Sequence, residues 1–328
     1  MIDISHPSEF IPEGFVDTIR DTALEAEKLK RLHPSQLKII LEQKWFQLFV
    51  PKIFGGLELS LPEALRLEEA LAWTDGSVGW TVTLCGGAGW FIGFFDPEIV
   101  SRIYNDPSVC IAGSGKAGGT AKKAGNGYEI TGYWDHATGA NYATAFTANC
   151  LVETEGEQVI QPFLFLRDEV TIHHNWNSMG MIATGSHSFE VSRLHVKNNR
   201  GFHIGGEYAK LPHPVYQYPF LEFAETTLSV NMSGMAMRFL DLCATLPLWE
   251  NAREKLEDAR LKFYEAVPFL NDISHASRKL ATASRQVVND LYPCCGLRAA
   301  DPDTEINRIW RNIHTAGQHS LLSGCSDK

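Results

Sequence analysis

The chain has 328 residues, of which 44% are hydrophobic and 21% charged, with a formal net charge of −10 and a pI near 5.6. Such a composition belongs to a globular protein with a sizeable core. The acidic balance excludes nucleic acid and anionic membrane surfaces as natural partners, because both require a basic face.

Residues 14–105 read as helices. Val16, Ile19, Ala23 and Ala26 share one apolar stripe, and Leu37, Ile40, Leu41 and Trp45 another. "VPKIFGGLELS" (Val50–Ser60) breaks the pattern with Pro51, Gly55 and Gly56 and reads as a loop, after which Pro62 sits in the first turn of a new helix. The most apolar stretch, Leu84–Phe95, is Gly-broken and shorter than the ~20 residues of a membrane span, so a buried helix is expected there.

From Ser108 to Ile204 β-branched and aromatic runs alternate with Gly and Asn, which predicts an antiparallel barrel or sandwich of roughly seven short strands. "GSGKAG" (Gly113–Gly118) has dinucleotide-loop spacing but leads into "GTAKKAGNGYEITG" rather than into a helix, so it is not read as a nucleotide site. After a Gly- and Pro-rich loop (Lys197–Pro219) the chain is helical again, and Asp303 is the expected N-cap of the last helix. The predicted organisation is α+β and multidomain: an N-terminal helical domain (1–107), a middle antiparallel β domain (108–206) and a C-terminal antiparallel helical bundle (207–328).

No basic-then-apolar leader opens Met1–Glu13, and the seven cysteines show no CxxC pairing. Both features predict a cytoplasmic protein with reduced thiols and no metal site.

Three stretches carry candidate chemistry. In "GYWDHATGANYA" (Gly132–Ala143), Trp134, His136 and Thr138 alternate and would share one face of a strand, with Gly139 allowing close backbone approach. An indole, an imidazole and a hydroxyl together suit a flat aromatic ligand, although a barrel interior explains the same spacing. "NWNSMGMIATGSHSF" adds Trp176, Thr184 and Ser186 around Gly180 and Gly185. In the last helix, "RNIHTAGQH", polar residues lie on two stripes: Arg308, Asn312, Thr315 and His319, then Arg311, His314 and Gln318. A bundle helix with so few charges needs partners for those groups, supplied either by a site or by packing.

These stretches resemble, in order from about residue 25 to residue 320, the acyl-CoA dehydrogenase superfamily of flavoproteins. "LFVPKIFGGLELSLPEALRLEEALAWTDGSVGW" is similar to that family's P-x-x-x-G-G loop, helix and A-x-x-D-x-S segment. "GYEITGYWDHATGANYA" is similar to its G-x-x-x-x-G-x-W strand, "WNSMGMIATGSHSFEVSRLHV" to its W-x-x-x-G-x-x-x-T-x-S strands, and "INRIWRNIHTAGQH" to its closing helix. Thr138-Gly139, in the place of a Ser-Gly pair, and the histidines of the closing helix point to the flavin-dependent monooxygenase branch.

The resemblance implies a cytoplasmic homo-oligomer, dimer or tetramer, that uses FAD or FMN, with reduced flavin supplied by a flavin reductase, and O₂ on a small aromatic substrate. Trp134 would pack on the isoalloxazine, and His136, Thr138, Gly139, Trp176, Thr184 and Ser186 would complete the cofactor site. His319, or failing that His314, would act as base, and Thr138 would also serve catalysis. A second implied reading is acyl-CoA dehydrogenation, with Asp303 or Glu305 as base. A third is a flavin-less binding or assembly protein, since roughly one helix of the family's bundle is missing between Leu246 and Glu254, along with the segment that grips the dinucleotide tail. The bundle is therefore expected to be shortened.

Overall fold

Helices occupy both ends of the chain, as the periodicity predicts. The computed structural model describes residues 4–154, 156–269 and 273–323. Before the sheet come α1 (Glu13–Asp21), α2 (Ala23–Leu29), α3 (Pro34–Glu42), α4 (Leu61–Thr74), α5 (Gly76–Gly89) and α6 (Pro97–Ile103). Among the described residues no helix is long and apolar enough to cross a membrane.

The α4–α5 corner shows how local chemistry sets the frame. Ser60 and Glu63 form a capping box at the start of α4, with Ser60 N–H donating to Glu63 Oε2 at 2.8 Å. Asp75 alone separates the two helices, and its Oδ1 accepts the Ser77 and Val78 amides at 3.0 Å, which starts α5. The helices then pack through glycine: a Cβ on Gly79 would lie 2.5 Å from Ala72 Cα. α5 carries apolar or small residues all round and is buried nearly throughout, as expected of "LCGGAGWFIGFF".

The middle segment is one six-stranded sheet: β1 (Ile111–Ala124), β2 (Gly127–Ala137), β3 (Ala145–Thr154), β4 (Glu157–Leu166), β5 (Thr171–His173) and β6 (His187–Lys197), in the order β4-β3-β1-β2-β6-β5. "GSGKAG", not read as a nucleotide site, lies inside β1. Two details differ from expectation. Among the described residues six strands form rather than seven, because the Gly-rich segment continues β1 through register shifts instead of dividing it. The pairing is also not purely antiparallel, since β1 and β3 run parallel. The chain leaves β2 at Ala137 and crosses the start of β1 by residues 138–144 before β3 pairs Ala145 with Ile111. Trp134, Phe146, Phe163, Phe165 and Phe189 fill the sheet's own core, each fully buried.

The C-terminal helices are α7 (Phe220–Leu242), α8 (Trp249–Ala266), α9 (Ile273–Leu291), α10 (Glu305–Ala316) and the single turn α11 (Ser320–Ser323). A short turn, residues 243–248, joins α7 to α8, and an open groove lined by Leu246, Trp249 and Glu254 lies beside it, where the sequence lacks family helix. α7 packs on α4 at Gly234, whose Cβ would lie 2.2 Å from Glu69 O. The cap of α10 is Thr304 rather than Asp303. Thr304 has extended backbone and its side chain accepts the Asn307 amide, whereas Asp303 uses its own N–H to meet Asp301 Oδ1 at 3.0 Å.

Candidate active site

The crossing between β2 and β3 brings together residues that the sequence keeps far apart. Gly139 turns the chain at φ +77°, a conformation that favours glycine, and a Cβ there would come 2.5 Å from Cys85 Sγ on α5. Its N–H donates to Thr184 O at 3.1 Å, which ties the crossing to the segment before β6. Thr138 Oγ1 lies 2.9 Å from Ser186 Oγ, Ser186 Oγ lies 2.8 Å from Thr184 Oγ1, and Thr184 Oγ1 donates to Met181 O at 2.8 Å.

Each hydroxyl has one proton. With Thr184 committed to Met181 O, both remaining contacts are satisfied only if Ser186 donates to Thr184 and Thr138 donates to Ser186. Thr138 Oγ1 then has lone pairs but no proton to offer outward. Thr138, Gly139, Thr184 and Ser186, four of the expected cofactor residues, thus form one connected patch.

Trp134 and His136 depart from the expectation of one shared face. Register shifts between Trp134 and Ala137 interrupt the β2–β6 pairing, and His136 takes φ +63°, rare for a residue with a Cβ. Alternation is lost there. Trp134 turns inward, fully buried against Phe189 with its indole N–H on Asn149 O at 2.9 Å, so the sheet core encloses it and it offers no ring face to a ligand. His136 is exposed, edge-on to Trp176 at 5.8 Å.

Trp176 is half-buried, and its indole donates to Met181 O at 2.9 Å. The segment from Trp176 to Ser186 is clamped to the closing helix. Asn312 Oδ1 accepts the Met181 amide at 2.6 Å, and Arg311 donates to Met179 O at 2.8 Å while pairing with Glu27. A Cβ on Gly180 would lie 2.1 Å from Arg311 O. Part of the polarity of "RNIHTAGQH" is therefore packing chemistry.

The two histidines separate. His314 faces α9: its ring nitrogens lie 2.6 Å from Trp310 O and 2.8 Å from Asn289 Oδ1, and its ring packs on Trp310 at 4.4 Å. It is engaged away from the patch and is not available there as a base. His319 instead meets Trp80 of α5 edge-on at 6.0 Å. Burial, and then the nearby His136, hold its pKa below the ordinary 6.5. Its Nδ1 accepts the Leu321 amide at 3.3 Å, so the neutral ring carries its proton on Nε2 and presents a donor. For His319 to act as base through Nε2, as expected from sequence, that contact would have to break. Trp80 and Thr81 are consecutive on α5, and Thr81 Cγ2 lies 3.7 Å from a Cβ built on Gly139. His319 and the Thr138–Gly139 patch thus border the same turn of α5.

The carboxylates considered for dehydrogenation lie elsewhere. Asp303 is exposed. Glu305 receives Arg238 at 2.7 and 3.0 Å, and that hydrogen-bonded arginine, with Arg20 and Arg308, holds its carboxyl below the usual range despite burial. A carboxylate so stabilised is a poor base for a carbon-bound proton.

The family described as "Acyl-CoA dehydrogenase, C-terminal domain" matches residues 242–324. Indole-3-acetate monooxygenase of Pseudomonas putida is 29% identical, over 94% of this chain and 89% of that protein. The flavin-dependent monooxygenase oxygenase subunit HsaA of Mycobacterium tuberculosis is 28% identical, over 94% and 90%. The structure of XiaF from a Streptomyces species in complex with FADH2 and glycerol matches with a TM-score of 0.87 at 20% identity, covering 96% of this chain and 91% of that one. The chain resembles the acyl-CoA dehydrogenase superfamily, whose C-terminal domain matches it over residues 242–324. Its helix–sheet–bundle order matches the fold of the XiaF structure.

Two site residues escape sequence reasoning. Trp80 sits in "TDGSVGW" and carries no polar signal; only the cap at Asp75 and the helical register that follows place its ring against His319. Met181 contributes backbone alone, which no side-chain pattern reveals.

Proposed function

We propose that this chain is a flavin-dependent monooxygenase that takes reduced FAD or FMN from a partner reductase and, with O₂, hydroxylates a small aromatic substrate. It is an oxidoreductase of the flavin-dependent type. The observation that carries the reading is the proton count of the hydroxyl relay. Thr138 Oγ1 keeps a lone pair but no free proton, and reduced isoalloxazine has a ring N–H at N5 that the oxidised ring lacks. The residues therefore fit the reduced form of the cofactor better than the oxidised one.

When bound, the flavin supplies the oxygen-activating chemistry. The protein's residues position and protect it. Thr138, locked by Ser186 and Thr184, would accept from the ring edge without rearranging, since its partners already hold its own proton. Gly139 would let the ring approach backbone, and half-buried Trp176 would flank it. His319, neutral at working pH, would donate Nε2–H to the substrate oxygen and favour its phenolate form. Trp80 would fix the orientation of that imidazole and exclude water from it.

The test is aerobic product formation with reduced flavin and a phenol or indole, alongside anaerobic titration with oxidised and reduced flavin. Oxygen-dependent product and tighter binding of reduced flavin are expected. Bleaching of bound flavin by an acyl-CoA would establish the dehydrogenase instead, and failure to bind FAD, FMN or their reduced forms would establish a flavin-less binding protein.

A further inference from the structure

Trp176 is held by two hydrogen bonds with acceptors of different chemistry. Its indole N–H donates to Met181 O at 2.9 Å, and its backbone N–H donates to His187 Nδ1 at 3.0 Å. The first bond ties the ring to the segment clamped on the closing helix. The second runs to an imidazole that neither the hydroxyl relay nor that clamp uses. Of the two acceptors, only the imidazole takes up a proton near neutral pH.

The fold fixes His187 closely. It opens β6 opposite Ala137 of β2, one residue before Thr138, and its own N–H donates to Gly185 O at 2.7 Å. The residue is 5% exposed. Next to it, Ser188 anchors Asn175: the Ser188 N–H donates to Asn175 Oδ1 at 3.0 Å, and its hydroxyl accepts from Asn175 Nδ2 at 2.9 Å. Residues 175 and 176 are thus laid against the start of β6 by side-chain bonds, of which the one to His187 alone has a titrating acceptor.

A neutral imidazole that accepts at Nδ1 carries its proton on Nε2, whereas an imidazolium donates from both nitrogens. A charged His187 would therefore set one N–H against another at Trp176. The surrounding titratable groups are few. The His174 ring meets His187 edge-on at 4.7 Å, and Asp135 of β2 accepts from Ser188 Oγ at 2.8 Å. His173 of β5 lies 3.0 Å from Glu190 of β6, and Arg311 pairs with Glu27 at the far end of the segment. Burial, and then His174, hold the His187 pKa below the ordinary 6.5, so the bond to Trp176 is present at neutral pH.

We propose that neutral His187 is a positioning residue for the site: it holds the Trp176 backbone so that the indole keeps one angle to the flavin, and protonation at its Nδ1 turns that wall away. Reduced-flavin binding then weakens as the pH falls below that of the neutral ring. The consequence for flavin rests on the monooxygenase reading, whereas the hydrogen bond does not.

The experiment uses the full chain and two variants. His187→Asn places an amide oxygen two bonds from Cβ, as Nδ1 is, and that oxygen accepts without titrating; His187→Leu removes the acceptor. Dissociation constants for reduced FMN and FAD are measured anaerobically at about pH 8 and about pH 5.5, on either side of the ordinary imidazole range. At the higher pH the Asn variant should match the original chain within about twofold, and the Leu variant should bind about fivefold more weakly. At the lower pH the original chain should lose at least about threefold relative to the Asn variant. Taking that ratio cancels protons gained by the flavin, His319 and His136. A ratio that does not change with pH, or a Leu variant that binds as tightly as the Asn one, overturns the proposal; if the Leu variant does not fold, the Asn comparison decides.

A flavin-free measurement separates this inference from the monooxygenase reading. With nitrogen-15 tryptophan, the Trp176 backbone amide signal, identified by its loss in Trp176→Phe, should move with a midpoint below pH 6.5 in the original chain and stay in place in His187→Asn. That movement without flavin binding removes only the monooxygenase reading. No movement, or the same movement in both proteins, removes the role of His187 whether or not flavin binds.

Discussion

Asn312 of the closing helix accepts the backbone N–H of Met181 at 2.6 Å, linking positions 131 residues apart. Through Met181 O the same residue receives Thr184 Oγ1 and the Trp176 indole, so one amide side chain of α10 anchors the segment that carries the hydroxyl relay. Asn312→Ala should cost about 1–2 kcal/mol of stability, since it leaves a buried amide N–H without a partner. It should also weaken reduced-flavin binding several-fold by loosening Thr184 and Ser186. Thermal melts and anaerobic flavin titration check both effects; a variant unchanged in both would mean that the clamp has no role in the site.

Thr138→Val removes the hydroxyl acceptor while keeping the side chain's shape. Reduced-flavin affinity should fall by about tenfold and oxidised-flavin affinity far less, because in the proposed placement only the reduced ring would bring an N–H to that hydroxyl. Equal losses for the two redox states would contradict the proton count of the relay.

His319 separates a donor role from a base role. His319→Ala should lower kcat by about 10²–10⁴ with reduced-flavin binding intact. His319→Gln, which keeps an N–H donor, should recover part of that loss, whereas a true base would not be replaced by an amide. His314→Ala should leave kcat within about twofold, since no reacting group meets it.

The histidine also predicts a pH dependence. The folded pKa of His319 lies below the ordinary 6.5, chiefly through burial and secondly through His136. Near and below pH 6.5 the unfolded chain therefore binds more protons at this residue than the folded one does, and stability is lost as the pH falls through that range. His319→Gln should flatten the slope of melting temperature against pH below 6.5; an unchanged slope would assign it to other groups.

Gly139→Ala tests the close approach to α5. Positive φ and a Cβ 2.5 Å from Cys85 Sγ together should cost about 1–3 kcal/mol. Adding Cys85→Ala should return the steric part and leave the backbone part, read as a partial recovery of melting temperature.

Glu305→Gln distinguishes ion pairing from proton abstraction. With its carboxyl held below the ordinary 4.5 by Arg238 first among its neighbours, Glu305 contributes stability above that pH and loses it as the pH falls through the folded pKa. The variant should be destabilised by about 1–3 kcal/mol at neutral pH and less so in acid. Monooxygenase turnover should persist in the folded fraction; selective loss of turnover in a fully folded variant would restore Glu305 as a chemical participant.

Much of this protein is legible without coordinates. Hydrophobic period separates helices from strands, because 3.6-residue and 2-residue repeats arise from local backbone geometry that each segment carries by itself. For the same reason "GSGKAG" is recognisable as no phosphate loop, lacking the helix that such a loop needs. Thr138, Gly139, Thr184 and Ser186 could be named in advance only because the stretches that hold them resemble the family's flavin-side strands; their spacing alone fits a barrel interior equally.

What tertiary structure alone decided is which way particular side chains face once elements pack. Trp134 and His136 are two residues apart on a strand, yet interrupted pairing and a left-handed backbone at His136 send one into the sheet core and leave the other exposed. His314 and His319 lie on one short stretch, but Asn289 of α9 engages the first and Trp80 of α5 meets the second, both partners distant in sequence. The parallel β1–β3 pair and the clamp from Asn312 to Met181 likewise depend on contacts between remote segments. The amino-acid sequence by itself determined the elements, their order and the residue types of the site. Their partners were decided by packing, because burial and hydrogen-bond satisfaction are properties of the assembled chain and of no segment alone.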